Sequence, residues 1–125
     1  SDAVIFAGFR QDMINVYNGL DLVVQSSYTE GMPNVVLEAL LMEVPVIATD
    51  VGGTAEIIEH ERTGVLIRPG AVGEIVEQIA AYCHDPARHR AMAQLGRKLV
   101  SERYDHGRRV ERLAAFYDSM LAGVR

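Results

Sequence analysis

Residues 22–49 read LVVQSSYTEGMPNVVLEALLMEVPVIAT and contain one strand–helix–strand unit. Leu22–Gln25 is a short, β-branched apolar run that suits a buried strand, and it leads into the polar loop Ser26-Ser27-Tyr28-Thr29. Pro33–Met42 is predicted helical. Val36, Ala39, Leu40 and Glu43 follow a 3.6-residue period, and Pro33 suits a first turn, where its missing N–H would lack a partner anyway. Pro45–Thr49 (PVIAT) is the next strand, with Pro45 at its start, where the absent donor does least harm.

The same alternation extends both ways. Upstream, Val4–Ala7 (VIFA), ended by Gly8, reads as another buried strand, and Gln11–Gly19 as a helix bearing Met13, Ile14, Val16 and Tyr17. Downstream, the loop Asp50-Val51-Gly52-Gly53 leads into a short helix from Thr54, a fitting N-cap, to about Glu59. Gly64–Ile67 (GVLI) is the last strand, closed by Pro69-Gly70. From about residue 71 the chain is helical. Val72–Cys83 sets Ile75, Val76, Ile79, Ala80 and Cys83 on one stripe; Pro86 opens a helix with Met92, Leu95 and Leu99 inward; Val110–Leu121 repeats the pattern through Val110, Leu113, Ala114, Tyr117 and Leu121.

Short strands alternating with helices imply an α/β fold: a three-layer, Rossmann-like open parallel sheet covered on both faces. Such sheets bind ligands at the carboxyl ends of their strands. Three loops then compete for a site: Gly8–Arg10, Ser26–Asn34 and Asp50–Thr54. Four short strands make a thin sheet, and the chain opens just before a strand without a Met, so residues 1–125 are expected to be a truncated, partial domain.

Composition narrows the function classes. With 125 residues and 49% hydrophobic content, the chain has the size of one small globular domain. No apolar run approaches the roughly 20 residues of a bilayer span, and no signal peptide opens the chain. A single cysteine, Cys83, excludes an intrachain disulfide framework; it is expected to be a small core residue. The net charge of −5 argues against nucleic-acid binding. Carboxylates from Asp12 to Glu61 stand with no Lys or Arg among them, while basic residues gather from Arg88 to Arg112, on polar helix faces. His60, His84, His89 and His106 are scattered over helix ends and polar faces without metal-ligand spacing, so no metal site is expected.

The chemistry concentrates in Thr29–Glu38 (TEGMPNVVLE). Gly31 lets backbone approach a ligand closely. The amides after Pro33 stand unpaired at a helix start, where they and the positive end of the macrodipole attract phosphate. Glu38 lies one turn beyond Asn34, roughly 6 Å along the axis and on the same face. There a carboxylate can accept both hydrogens of a ribose diol. Glu30, in the loop before, can accept from sugar hydroxyls, and ionised acceptors make the stronger hydrogen bonds. Taken alone, Glu30 is more simply read as an ordinary loop charge. Glu38, flanked by Leu37, Ala39 and Leu40, is harder to dismiss: a partly buried carboxylate needs a partner, and a ligand is one.

This stretch resembles the E-x7-E motif of the family-4 (group 1) glycosyltransferases, retaining enzymes of GT-B fold whose C-terminal domain holds the nucleotide sugar. Val4–Phe9 is similar to that family's V-x-F-x-G-F strand and turn, and Asp21–Ser27 (DLVVQSS) to its D-L strand. Pro45–Glu56 (PVIATDVGGTAE) resembles its Gly-Gly loop, and Thr63–Pro69 (TGVLIRP) the strand after it. The resemblance implies that Glu30 holds donor-sugar hydroxyls and that the backbone amides of Gly31, Met32, Asn34 and Val35 cradle the sugar and diphosphate. By the same resemblance Glu38 binds the ribose, and Phe9 and Arg10 flank the nucleobase. Gly52 and Gly53 form a structural loop with no chemistry assigned. Transfer is expected to need no metal or other cofactor, with a nucleoside-diphosphate sugar as co-substrate.

The family's Arg and Lys, which neutralise the leaving diphosphate, have no match here, nor does its N-terminal acceptor-binding domain. The resemblance therefore implies a piece inactive alone, an acidic half-site awaiting cations from elsewhere. A cytoplasmic setting is expected, any contact with the inner membrane face being left to the absent domain. Exposed apolar surface favours self-association. The Tyr104-Asp105-His106 region matches the family only loosely. The rival reading is a non-catalytic binding or assembly module on the same scaffold; a sugar-nucleotide epimerase fits the Glu30–Glu38 spacing and Gly52-Gly53 loop less well.

Overall fold

The computed structural model describes residues 2–105 and 109–123, with side chains at 2–103 and 115–123. His106 and Arg108 lie outside the described residues. The side chains of Tyr104, Asp105, Arg109, Arg112 and the expected stripe Val110, Leu113 and Ala114 are likewise not described. In chain order the elements are α1 (Met13–Asn18), β1 (Val23–Gln25), α2 (Asn34–Leu41), β2 (Val46–Thr49), α3 (Thr54–Ile57), β3 (Val65–Ile67), α4 (Val72–His84), α5 (Pro86–Asp105) and α6 (Arg109–Ala122).

The strands form one open parallel sheet in the order β1-β2-β3, with Val23 opposite Val46 and Ile47 opposite Val65. Because side chains alternate across a strand, the register divides the core in two. Val23, Val46 and Ala48 face a cluster with Tyr17 of α1, Val36, Leu37 and Leu40 of α2, Ile57 of α3 and Val100 of α5. Ile47, Val65 and Ile67 face the other way, toward Met92 of α5 and Ile75 of α4. The sheet is therefore sandwiched between helical layers, and α5 reaches both clusters.

Several expectations are corrected. Val4–Ala7 is not a strand: no β partner is described for it, and Ile5 and Phe6 are 86% and 96% exposed. A strand is held by its neighbour's hydrogen bonds, so an apolar run with none has no reason to persist as one. The apolar stripe of α4 is only shallowly used, with no residue of that helix buried and Val72 and Val76 more than 60% exposed. A three-stranded sheet gives this helix little face to cover, and Cys83 consequently points to solvent rather than into the core.

The inward line of α5 is Met92, Ala93, Gly96 and Val100, with Leu95 and Leu99 only half-buried. Gly96 explains the shift. A Cβ there would come within 2.9 Å of the Leu40 side chain and 3.2 Å of the Thr63 carbonyl, so its absence lets α5 close on α2. His89, expected on a polar face, is buried one turn before, edge-on to the Tyr82 ring. Its Nδ1 lies 3.1 Å from the Asp85 carbonyl, which can only accept, so Nδ1 donates there, and the buried Nε2 has no hydrogen-bond partner among the described residues. Element ends differ by a residue or two: Pro33 and Gly53 serve as N-caps, making Thr54 the first helical residue, and α3 stops at Ile57.

The basic C-terminal third is not an isolated face. Arg97 reaches across to Glu43 at 3.3 Å and Arg103 to Glu59 at 3.7 Å, so α5 neutralises part of the acidic half.

Candidate functional site

The three strands end at Gln25, Thr49 and Ile67, and the loops that leave them are tied together at that edge. The Thr49 hydroxyl donates to the Ser27 carbonyl at 2.6 Å. The Asp50 amide donates to the Ile67 carbonyl, and the Gly53 amide to the Gly31 carbonyl, both at 2.8 Å. Tyr28 lies over the turn at Gly70, where a Cβ would be 3.4 Å from its ring.

The Gly52-Gly53 pair sets the position of the loop before α2. Gly52 adopts φ +54°, and a Cβ on it would sit 1.7 Å from the Glu30 carbonyl oxygen. One on Gly53 would sit 2.8 Å from the Gly31 carbonyl oxygen. No side chain fits between these backbones, so two bare glycines let the second loop buttress the Glu30-Gly31 peptide directly.

Glu30 is half-buried, and its Oε1 accepts from Gln25 Nε2 at 3.0 Å and from the Ser27 hydroxyl at 2.7 Å. Gln25 pairs with Ala48 and so stands on the α2 side of the sheet. The carboxylate bonded to it lies on that side too. Beyond Gly31 and Met32, the buried Pro33 caps α2 with extended backbone and no side-chain cap bond. The first amides with a backbone acceptor are Val36 and Leu37, both on the Pro33 carbonyl at 3.1 and 3.3 Å. Those of Asn34 and Val35 precede the intrahelical ladder, on exposed residues.

Glu38 is 9% exposed, and its Oε2 accepts from the Tyr17 hydroxyl at 2.7 Å. Burial and the neighbouring Glu38 carboxylate hold the Tyr17 hydroxyl well above the ordinary tyrosine value, and the same two causes raise Tyr117 of α6. Glu38 is thus flanked by tyrosines from two other helices. Sequence reading demanded a partner for this carboxylate; the protein itself supplies one, 21 residues upstream, where no local pattern announces it.

Phe9 and Arg10 are not joined to this edge by any hydrogen bond or ion pair among the described residues. Phe9 is 89% exposed, and Arg10 makes a two-point pair with Asp12 at 2.7 and 2.5 Å. That pair holds the Asp12 carboxyl below its usual range. Glu30 thus stands in the entry loop of α2 and Glu38 within that helix, and among the described residues no hydrogen bond or ion pair ties the Gly8–Arg10 turn to either. The residues that sequence reading missed are Gln25, Ser27 and Tyr17. Only Ser27 carried any signal, as part of a polar loop.

The family model for glycosyl transferases group 1 matches residues 1–85. The capsular polysaccharide biosynthesis glycosyltransferase CapM of Staphylococcus aureus is 31% identical over 118 residues, covering 94% of this chain and 31% of that protein. Among solved structures, Anabaena Alr3699/HepE in complex with UDP superposes with a TM-score of 0.78 at 30% identity, over 91% of this chain and 32% of that one. The same protein in complex with UDP-glucose gives 0.77 at 28% identity, over 95% and 31%. The C-terminal domain of a group 1 family protein (LpcC) from Francisella tularensis gives 0.71 at 31% identity, over 81% of this chain and 52% of that one. The chain spans about a third of the length of the curated relatives it matches, 31% for CapM and for the putative glycosyltransferase EpsD of Bacillus subtilis.

Proposed function

The chain belongs to the group 1 glycosyl transferases, and on that footing we propose that it forms part of a nucleotide-sugar-binding domain. The intact transferase would move a sugar from a nucleoside diphosphate to an acceptor hydroxyl with retention at the anomeric carbon. The observation that carries the reading is the sequence of groups along α2. Among the described residues, Glu30 has one carboxylate oxygen without a side-chain donor and precedes a helix whose Asn34 and Val35 amides have no backbone acceptor, with Glu38 one turn inside. HepE, similar over most of this chain, was solved with UDP and with UDP-glucose, a ligand class with hydroxyls at both ends and charge in the middle.

In this reading Glu30 accepts from donor-sugar hydroxyls. The amides of Gly31, Met32, Asn34 and Val35 receive the sugar and diphosphate, aided by the helix dipole. Glu38, beside the Tyr17 and Tyr117 hydroxyls, takes the ribose. Phe9 and Arg10 flank the nucleobase. The α2 tip disperses charge on the departing diphosphate, and such preorganised dipoles act most where charge develops. No Lys or Arg lies between Arg10 and Arg62, so the main countercharge comes from outside these residues, and the chain alone is inactive. We assign the chemistry no metal and the protein a cytoplasmic setting; no described helix is long and apolar enough to cross a membrane.

The test is Glu38→Ala in the intact transferase. Donor KM should rise about tenfold or more, with kcat changed less, because a ribose grip serves ground and transition states alike. Unchanged donor kinetics would remove Glu38 from the site.

A further inference from the structure

The Glu30 carboxylate is held more tightly than a loop charge requires. Water would satisfy a half-exposed carboxylate without help, yet two side chains converge on the same oxygen, Oε1: Gln25 Nε2 at 3.0 Å and Ser27 Oγ at 2.7 Å. Immobilising side chains costs rotamer entropy, and a lone surface charge gains little in return. Both donors stand on fixed backbone. Gln25 is the last residue of β1, in register with Ala48, and the Ser27 carbonyl is anchored by the Thr49 hydroxyl at 2.6 Å. The Glu30 main chain is fixed in turn by the contact with Gly52. Backbone and carboxylate are thus constrained independently, and among the described residues Oε2 is left without a side-chain donor.

We propose that Gln25 and Ser27 are positioning residues: they saturate Oε1, fix the plane of the carboxylate and present Oε2 as the one oxygen that meets a hydroxyl of the donor sugar. This rests on the assignment of Glu30 made above. Holding a reacting or binding group within a fraction of an ångström is where supporting residues exert their effect.

The experiment is a double-mutant cycle in the intact transferase, reading kcat and donor KM separately. Gln25→Leu and Ser27→Ala are each made alone and in a Glu30→Ala background. Each single variant should lower kcat/KM for the donor about tenfold, divided between kcat and KM in the same proportion as Glu30→Ala. In the Glu30→Ala background neither should lower it further. An equal loss in both backgrounds would mean that the two residues merely support the loop and would overturn the proposal, as would singles with wild-type kinetics. If Glu30→Ala itself leaves donor kinetics unchanged, it is the assignment of Glu30 that fails. Ser27→Ala deletes one hydroxyl and keeps the loop's backbone bonds, so its result decides the matter should Gln25→Leu not fold.

Discussion

At the scale of single residues, the buried pair Tyr17–Glu38 shows how far sequence reading reaches. That Glu38 would be enclosed could be read from its apolar neighbours; which group would satisfy it could not. The contact joins α1 to α2, and nothing periodic links two residues 21 apart. Deleting the tyrosine hydroxyl strands a buried carboxylate oxygen, so Tyr17→Phe should destabilise the fold by about 1–3 kcal/mol in urea unfolding. The pH dependence follows from the direction of the shift. The folded protein holds the Tyr17 hydroxyl above its ordinary 10.0, so this contribution is complete below pH 10 and is lost as pH rises toward the folded value. Stability of the wild type should therefore fall above pH 10, and less steeply in Tyr17→Phe. Equal slopes would show that the hydroxyl ionises freely.

At the scale of elements, strands and helices were legible wherever a period and a stop signal coincided. The 22–49 unit and the strand before Pro69 came out within a residue or two. Two of the failures share one physical cause. Val4–Ala7 has strand composition but no described partner, and α4 has a helical stripe but little sheet to lie on. Composition encodes what a segment can bury, not whether a neighbour is there to bury it. The Gly52-Gly53 loop was readable as structural, though its purpose was not: it touches Glu30 and Gly31 through backbone alone. Gly52→Ala combines a left-handed φ with a clash against the Glu30 carbonyl, and should cost about 1–3 kcal/mol. It should also weaken donor binding in the intact transferase. A variant with wild-type melting temperature and donor KM would show that the loop does not set the position of Glu30.

At the scale of the whole molecule, a small sheet leaves much apolar surface uncovered. Ile5, Phe6 and Phe9 are each more than 85% exposed, and Val72 and Val76 more than 60%. Patches of this kind are seldom left to water. The 125-residue chain alone should self-associate, its elution volume in gel filtration moving with concentration. A constant monomer position across a hundredfold dilution would show that these residues are covered within one chain. The charge distribution follows the same logic. Arg97 and Arg103 offset Glu43 and Glu59, and at the start of α2 the helix dipole is the local source of positive potential.

The account depends on an anion seated at the start of α2 between two acids. A crystal structure of the intact transferase with the nucleoside diphosphate of its donor tests this most directly. It should show phosphate oxygens accepting from the Asn34 and Val35 amides and ribose hydroxyls donating to Glu38. A diphosphate bound away from that helix start, or a ribose out of reach of Glu38, would contradict it.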